Sequence, residues 1–555
     1  MRSVPILWAC ALALVATSQL LAADMRNVKN GHDIALPGLK YADQPYLVAL
    51  DDGSWLCIMT VGTLGENTVG TKNESVAFRS TDQGKTWSKF VPCNAPYAIP
   101  LRAAGGRVYA ITTGFLSYSD DRGATWSERF RIPACPPQGG WNVGMPLVHE
   151  GVVYVPWAEW NNGTRTVVHF YRSDNLLTER TVDRIHWEMF GELRGPDWDK
   201  GRQVSEEPHL VALKDGTFYC VFRTDQGYIC QSSSRDQGKT WTTPRRLTYE
   251  PSGTQTIKHT RACPSLWKCS NGNYLLWHHN NGTTHWYERN PGWVSGGVER
   301  DGQILWSQPE VLLYADDIAE LSGRISYPGF LEQGGRYWIA ETSKTRAGLH
   351  EVEEKLLQQV WTQHERRAVT RTGLKVELGA EALAQKSLTC RFPTIPDMVR
   401  KQGGFSIDLW LEFADFAPGQ VILDNRDRQG RGLLLHVNQD GDLEVSMGDS
   451  RVTNVWCADR GVLHPRQRHH VVISVDGGPK IIRYIIDGHL CNGGADRPFG
   501  WGRVSPFFEG PNNGEELKVA GSFHGRIESL RLYNRALTTS ESVGNFRAGL
   551  PALAP

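Results

Sequence analysis

Three copies of one eight-residue phrase constrain this chain more than anything else in it. They read Ser80-Thr-Asp82-Gln-Gly84-Lys-Thr86-Trp87, Ser119-Asp-Asp121-Arg-Gly123-Ala-Thr125-Trp126 and Ser234-Arg-Asp236-Gln-Gly238-Lys-Thr240-Trp241. A phrase that recurs at intervals signals a fold assembled from repeated units. Its residue types describe a tight hairpin turn: aspartate accepts hydrogen bonds from amides of its own turn, and glycine takes the positive φ the turn needs. Threonine is expected to resume the next strand, and tryptophan to fill an apolar slot beneath it. The phrase names a scaffold and no chemistry.

Around the repeats, residues 30–345 read as short alternating strands separated by Asp-Gly, Gly-Gly and Asn-Gly turns. Examples are Tyr46–Leu50 before Asp52-Gly53, Leu210–Leu213 before Asp215-Gly216, and Tyr274–His278 after Asn271-Gly-Asn. Regular short strands with Trp-bearing turns predict a β-propeller, and about 320 residues at about 50 to 55 per blade give six blades. Residues 350–362 break the pattern. Val352, Leu356 and Val360, with Leu357 and Trp361, recur at helical spacing, which predicts an amphipathic connector over 349–369 packed on the propeller side. A second β-domain spans 370–549. Phe405–Phe413 and His469–Val475 alternate, and Asp476-Gly-Gly turns into Ile481–Ile486.

The totals exclude some classes of function. The 555 residues are enough for about two to four domains. Sixty acidic side chains balance sixty basic ones, so bulk charge gives no reason for nucleic-acid or membrane-surface binding. Residues 1–23 have the pattern of a secretory signal: Arg2, an apolar run from Ile6 to Ala16, and small residues at Leu20-Leu-Ala-Ala23. No later stretch is long and apolar enough for a spanning helix, so the expectation is a secreted or periplasmic protein. Ten cysteines follow that segment: Cys57, Cys93, Cys135, Cys220, Cys230, Cys263, Cys269, Cys390, Cys457 and Cys491. Export permits some of them to pair as disulfides and leaves others as buried thiols. None stands at zinc-site spacing.

The triple phrase resembles the aspartate boxes (BNR repeats) of the exo-α-sialidase, or neuraminidase, family, whose catalytic domain is a six-bladed propeller. The closing phrase of the chain, Gly525-Arg-Ile-Glu-Ser-Leu-Arg-Leu-Tyr533 through Glu541, resembles the laminin-G-like, concanavalin-like jelly rolls. The expected fold is therefore all-β: a sialidase-like propeller over 30–348, then a jelly-roll sandwich that binds glycan in some proteins and merely packs in others.

Site residues follow from the sialidase resemblance. Glu207-Pro-His begins a strand that turns at Asp215-Gly216 and returns to Arg223, sixteen residues later. In the family, a glutamate and an arginine of the substrate-binding triad stand this way; a surface ion pair across a hairpin is the other reading. Ser326-Tyr327-Pro through Glu341 resembles the last-blade segment with the nucleophilic tyrosine, followed one hairpin later by a glutamate. A neutral phenol suits an anomeric carbon that already bears a carboxylate, and Glu207 can take its proton. Arg289 is the candidate second arginine, because a planar guanidinium grips a carboxylate through two parallel hydrogen bonds. Glu206 is expected on the opposite strand face.

The beginning of the chain departs from the family. Tyr41-Ala-Asp43-Gln44-Pro45 puts Asp43 where the first triad arginine should stand, and an aspartate there is expected to repel a substrate carboxylate. Arg79, Arg102 and Arg261 are candidate replacements. The acid/base aspartate is missing from 63–74, leaving Glu66 first and Glu74 second, either of which could act as general acid if its pocket raised its pKa. The resemblance implies a glycan or glycoconjugate substrate and no cofactor. Three functions remain open. One is an exported retaining exo-glycosidase releasing terminal sialic acid or a related acidic sugar. The second, which Asp43 favours, is a propeller glycosidase or lyase acting on a plant or algal polysaccharide. The third is a non-catalytic glycan-binding protein.

Overall fold

The computed structural model describes residues 24–34, 40–62, 74–89, 91–133, 135, 142–161, 165–195, 204–286, 288–316, 325–385 and 388–551. The chain is all-β and carries eight antiparallel sheets among these residues. Six are small and consecutive in sequence. They span 41–92, 99–131, 142–194, 206–246, 265–313 and 326–352, with four or five strands each. The sixth borrows a strand from the start of the chain, because His32–Asp33 pairs antiparallel with Ala347–Val352. Contacts between strands pass from each sheet to the next and from the sixth back to the first, where Ser326–Gln333 lies along Tyr41–Ala49.

The repeated turns join the third and fourth strands of the first, second and fourth sheets. In the first copy the Ser80 hydroxyl donates to Asp82 Oδ1 at 2.8 Å and accepts from the Gly84 amide at 2.8 Å. Thr86 donates its amide to Asp82 Oδ1 at 2.9 Å and its hydroxyl to Oδ2 at 2.6 Å. These donors, the Thr86 hydroxyl foremost, hold the Asp82 carboxyl down at about 2. The copies at 119–126 and 234–241 repeat every one of these bonds. Threonine therefore caps the turn and leaves the next strand to begin several residues later. The tryptophans are half-buried, and it is the glycines that are buried.

Each of those glycines lies against the sheet before its own. A Cβ on Gly84 would stand 2.0 Å from Leu349 Cδ2 of the sixth sheet. One on Gly123 would meet Leu56 Cδ1 of the first sheet at 2.5 Å, and one on Gly238 would meet Phe190 Cε2 of the third at 3.2 Å. The repeat thus serves as a turn and as a seam between neighbouring sheets.

Helix Glu354–Trp361 follows the sixth sheet and buries Leu357, Val360 and Trp361. Trp361 Nε1 donates to the Tyr274 carbonyl of the fifth sheet at 2.9 Å, so the connector packs against that sheet. Val352, grouped with the helix on spacing, belongs to the preceding strand. The C-terminal domain consists of a seven-stranded and a six-stranded antiparallel sheet. Their facing residues make one core: Phe405, Ile407, Leu409, Leu411 and Phe413 alternate into it and meet Leu433, Leu435 and Val445 from the other sheet. The outer face of the larger sheet is covered by helix Thr539–Ala548, whose Asn545 donates to the buried Asp408 at 2.7 Å. None of the ten cysteines forms a disulfide, eight of them being buried thiols. They are distributed over separate cores, as Cys57 and Cys220 are, and the pairing expected of an exported chain is absent. No helix among the described residues is long and apolar enough to cross a membrane.

Two glycines with the same backbone conformation isolate what the seam contributes. Gly53 and Gly84 both have φ of 81°, but a Cβ on Gly53 meets nothing within 4 Å. Gly53→Ala is expected to cost about 1 kcal/mol, from backbone strain alone. Gly84→Ala should cost about 1–3 kcal/mol more, from overpacking against Leu349 and Trp55. Urea unfolding of the two variants checks this; equal losses would show that the seam is not tightly packed.

Candidate active site

Strands Tyr41–Ala49, Glu206–Ala212 and Ser326–Gln333, of the first, fourth and sixth small sheets, carry the same irregularity at the same place. In each, a residue with positive φ stands directly before a proline: Gln44 (57°) before Pro45, Glu207 (49°) before Pro208, and Tyr327 (47°) before Pro328. The ladder slips at each of these points, between Asp43 and Tyr46, Glu206 and His209, and Ser326 and Gly329. A slip of this kind re-aims side chains, and left-handed residues other than glycine cost of order 1–2 kcal/mol each.

Two of these bulge residues meet. The Tyr327 hydroxyl donates to Glu207 Oε1 at 2.7 Å, although the two lie 120 residues apart. Arg223 Nη1 donates to the same oxygen at 2.7 Å. Glu206 does not point away as strict alternation predicts. It pairs across the ladder with Arg223, and its Oε2 lies 3.2 Å from Arg223 Nε while its Oε1 accepts from Arg261 Nη2 at 3.2 Å. The bulge turns both carboxylates toward one guanidinium.

Arg289 completes the cluster. Its Cζ lies 5.7 Å from the Tyr327 ring centroid, and its Nη2 donates to the Arg261 carbonyl at 3.0 Å. It is 4% exposed, its Nε has no hydrogen-bond partner, and no carboxylate lies within ion-pair distance among the described residues. Burial works against ionisation of Glu207, but Arg223, the Tyr327 hydroxyl and Arg289 outweigh it and hold the carboxyl below its ordinary 4.5. Burial and the Glu207 charge push the Tyr327 phenol well up, against the two arginines. The resting pair is therefore a neutral phenol and a carboxylate. Beneath them, burial pushes His209 down to about 4; this neutral ring accepts from the Leu266 amide at 3.3 Å and lies 3.6 Å from Cys263 Sγ.

The structure thus brings Glu207, Arg223, Arg289 and Tyr327 together, as the sequence suggested. Of the three substitute arginines only Arg261 enters the cluster; Arg79 pairs with Asp52 at 2.5 Å and Arg102 reaches the Ala49 carbonyl at 3.4 Å. Asp43 requires a correction. It does not stand as an unbalanced charge, because Lys344 Nζ donates to its Oδ2 at 2.7 Å and Tyr41 donates at 2.8 Å. The same Nζ is 4.6 Å from the Tyr327 ring centroid. Glu341 is placed apart. It is buried beside His350 at 3.4 Å and makes no hydrogen bond or ion pair to the four clustered residues. Glu74 opens the strand Glu74–Ser80 and is exposed, opposite Val61 in the ladder. Glu66 lies outside the described residues.

Glu206 and Lys344 are the two members of the cluster that the sequence did not yield. The Pro after Glu207 was the available signal for Glu206, since a proline cannot donate to the ladder and often marks a bulge. Lys344 follows the last inner hairpin and carries no motif. Among the described residues, three carboxylates (Asp43, Glu206, Glu207) face four cations (Arg223, Arg261, Arg289, Lys344), which leaves one positive charge at Arg289. The arrangement can deprotonate a phenol and receive a monoanion.

Comparison with known proteins agrees at the level of domains. Residues 103–339 match the BNR repeat-like domain, and residues 390–541 match the Concanavalin A-like lectin/glucanases superfamily. No curated protein sequence matches the chain. Among solved structures, Trypanosoma rangeli sialidase is 15% identical, with 92% of this chain and 94% of that chain covered at a TM-score of 0.39. Hadza microbial sialidase Hz136 is 17% identical over 56% of this chain and 66% of that one, at a TM-score of 0.41. The NanB sialidase from Streptococcus pneumoniae is 14% identical over 57% and 68%, at a TM-score of 0.41.

The Asp43–Lys344 pair gives a direct test of the charge balance. Both side chains are largely buried, 2% and 12% exposed. Lys344→Met should destabilise the protein by about 3–5 kcal/mol, by leaving Asp43 buried without its partner. Combining it with Asp43→Asn should recover most of that loss. Chemical denaturation of the two singles and the double measures the coupling; additive losses would mean the pair is not one unit.

Proposed function

We propose that the protein is an exported exo-glycosidase of sialidase type, acting on terminal sialic acid or a related acidic sugar through a covalent intermediate on Tyr327. The observation that carries this reading is the hydrogen bond from the Tyr327 hydroxyl to Glu207 at 2.7 Å, beside a buried Arg289 that lacks an anionic partner among the described residues. The six consecutive sheets and their ring of contacts support a six-bladed propeller with this cluster at its centre. The signal-like segment at 1–23 supports export.

The steps follow from the groups present. The substrate carboxylate sits between Arg289 and Arg223, where a guanidinium offers two parallel donors. It brings the negative charge that the cluster lacks. Glu207 accepts the phenol proton as Tyr327 Oη attacks the anomeric carbon, so charge develops on oxygen only in the transition state. The glycosidic oxygen leaves with a proton from a general acid, for which Glu66 remains the candidate. Water then attacks the tyrosyl-linked sugar and gives its proton to the carboxylate that the general acid became in the first step; Glu207 returns its own proton to Tyr327 as that oxygen leaves, and net retention results from two inversions. Asp43 and Lys344 neutralise each other next to the nucleophile, which removes the repulsion that an aspartate there would otherwise impose.

The test is hydrolysis of a fluorogenic α-sialoside by the purified protein. Tyr327→Phe should abolish turnover to background, and Glu207→Gln should lower kcat by about 10²–10⁴. Hydrolysis of a neutral or uronic glycoside in place of the sialoside would move the assignment to another polysaccharide. Binding without turnover of any glycoside would leave a lectin.

A pH prediction follows from Glu207. Its folded carboxyl lies below the ordinary value of 4.5, so the ionised form that pairs with Arg223 is favoured by folding. Its contribution is complete above that ordinary value and is lost as pH falls through the depressed one. The acid limb of kcat/KM should therefore lie below pH 4.5, and Glu207→Gln should flatten the loss of stability in that range. An acid limb above pH 5 in the wild type would contradict the assignment of Glu207 as base.

A further inference from the structure

The loop that presents Arg289 is held from outside the propeller. It runs from His279 to Pro291, between strands Tyr274–His278 and Gly292–Arg300 of the fifth sheet. Three of its fixings come from the C-terminal domain or reach toward it, and a fourth contact lies just past its end. Trp501 Nε1 donates to the Asn280 carbonyl at 2.9 Å in a buried setting. The Gly282 amide donates to the Pro498 carbonyl at 2.7 Å. Arg503 Nη2 donates to the Asn290 carbonyl, one residue from Arg289. Trp293, just past the loop, meets the Trp501 ring at 6.2 Å, inside an apolar cluster that both domains share.

The other support of Arg289 is held in the same way. Arg289 Nη2 donates to the Arg261 carbonyl at 3.0 Å, and the segment leading to Arg261 is tied to the same stretch of the C-terminal domain. Lys258 Nζ donates to the carbonyls of Gly494 and Arg497, each at 2.7 Å, and Asn492 Nδ2 donates to Thr256 at 3.2 Å. Residues 490–503 therefore grip both the backbone beside Arg289 and the backbone its side chain leans on.

Arg503 is the unusual member. It has no ion-pair partner among the described residues, and its guanidinium donates only to carbonyls, those of Asn290 and Pro479, while it lies 4.8 Å from the Trp501 ring centroid. Burial without a carboxylate pulls its pKa down to about 10. A half-buried cation committed to backbone oxygens is a costly arrangement if docking is all it provides, since apolar contact would dock two domains at less cost. It fits a need for directional restraint. A guanidinium gripping a carboxylate must be held to within about 0.5 Å to act.

We propose that Trp501 and Arg503 of the C-terminal domain are positioning residues for the substrate-carboxylate site, fixing the 279–291 loop so that Arg289 points at Tyr327. The C-terminal domain is then a working wall of the site, whether or not it binds glycan itself. This inference rests on the proposed function for its kinetic form and on the loop contacts alone for its mechanical form.

The experiment uses the full chain and compares wild type, Arg503→Met, Arg503→Lys and Trp501→Phe. The last keeps an aromatic ring in the slot but removes the donor to Asn280 together with part of the indole's packing. With the fluorogenic α-sialoside, Arg503→Met and Trp501→Phe are expected to raise KM about threefold to tenfold with kcat within about twofold, the scale of one lost hydrogen bond. Arg503→Lys, which keeps a donor for Asn290, should recover part of the loss. A variant that had merely lost stability would lower the active fraction, and so kcat, without moving KM. Hydrogen exchange gives a second readout that needs no turnover: amides of 279–291 should exchange faster in both variants, while those of 55–62 in the first sheet stay unchanged. Unchanged exchange in 279–291, or KM equal to wild type in both variants, overturns the inference. Absence of sialoside turnover in the wild type overturns the proposed function instead, and exchange then decides the positioning role by itself.

Discussion

The site depends on a backbone constraint before it depends on any charge. At Gln44, Glu207 and Tyr327 an inner strand slips by one position directly ahead of a proline, and the residue at the slip is forced into left-handed conformation. A regular strand would send Glu206 and Glu207 to opposite faces. With the slip, both carboxylates reach Arg223, and Tyr327 leaves its own ladder to meet a carboxylate on another sheet. Proline makes the irregularity permanent, because it has no amide hydrogen with which to restore the ladder. Strain of this kind persists only where the surroundings over-determine it, and here the neighbours on each side are complete four- or five-stranded sheets.

The electrostatics build on that geometry. Among the described residues, each charge in the cluster has an opposite partner except Arg289, so these side chains balance to one positive charge. If the site takes a carboxylate, as proposed, this opposes folding less than three bare guanidinium groups would through their mutual repulsion. It also explains why an aspartate can occupy the first inner strand without spoiling the pocket: Lys344 arrives from the last hairpin and cancels it at 2.7 Å.

Much of this was legible in the sequence, and the limits of legibility have physical causes. The repeated turn was readable because its hydrogen bonds lie within eight residues and depend on residue type alone. Glu207 and Arg223 were readable because a hairpin of known turn brings them together. Tyr327 was found through a resemblance and then met Glu207 in the structure. Lys344 escaped because its role depends on contact with Asp43, 301 residues away, and nothing local distinguishes it from a surface lysine. Glu206 was misplaced because alternation was extended through a bulge. Glu341 was drawn in by its position after Tyr327, but the second strand of a hairpin turns alternate residues to the far side, and His350 receives it there. The disulfide expectation followed the compartment, while the cysteines follow the cores.

The seam formed by the repeated turns has a consequence for how such a chain can change over generations. Gly123 has no room for a side chain because Leu56 of the preceding sheet fills the space, and Gly84 is closed off by Leu349 in the same way. Two residues remote in sequence thus share one volume, and neither can be altered without regard to the other. A turn transplanted from one sheet to another would carry its hydrogen bonds intact and still arrive at the wrong neighbour. The units look interchangeable when read along the chain, but each is fitted to the one before it, and the set can be inherited only as a whole.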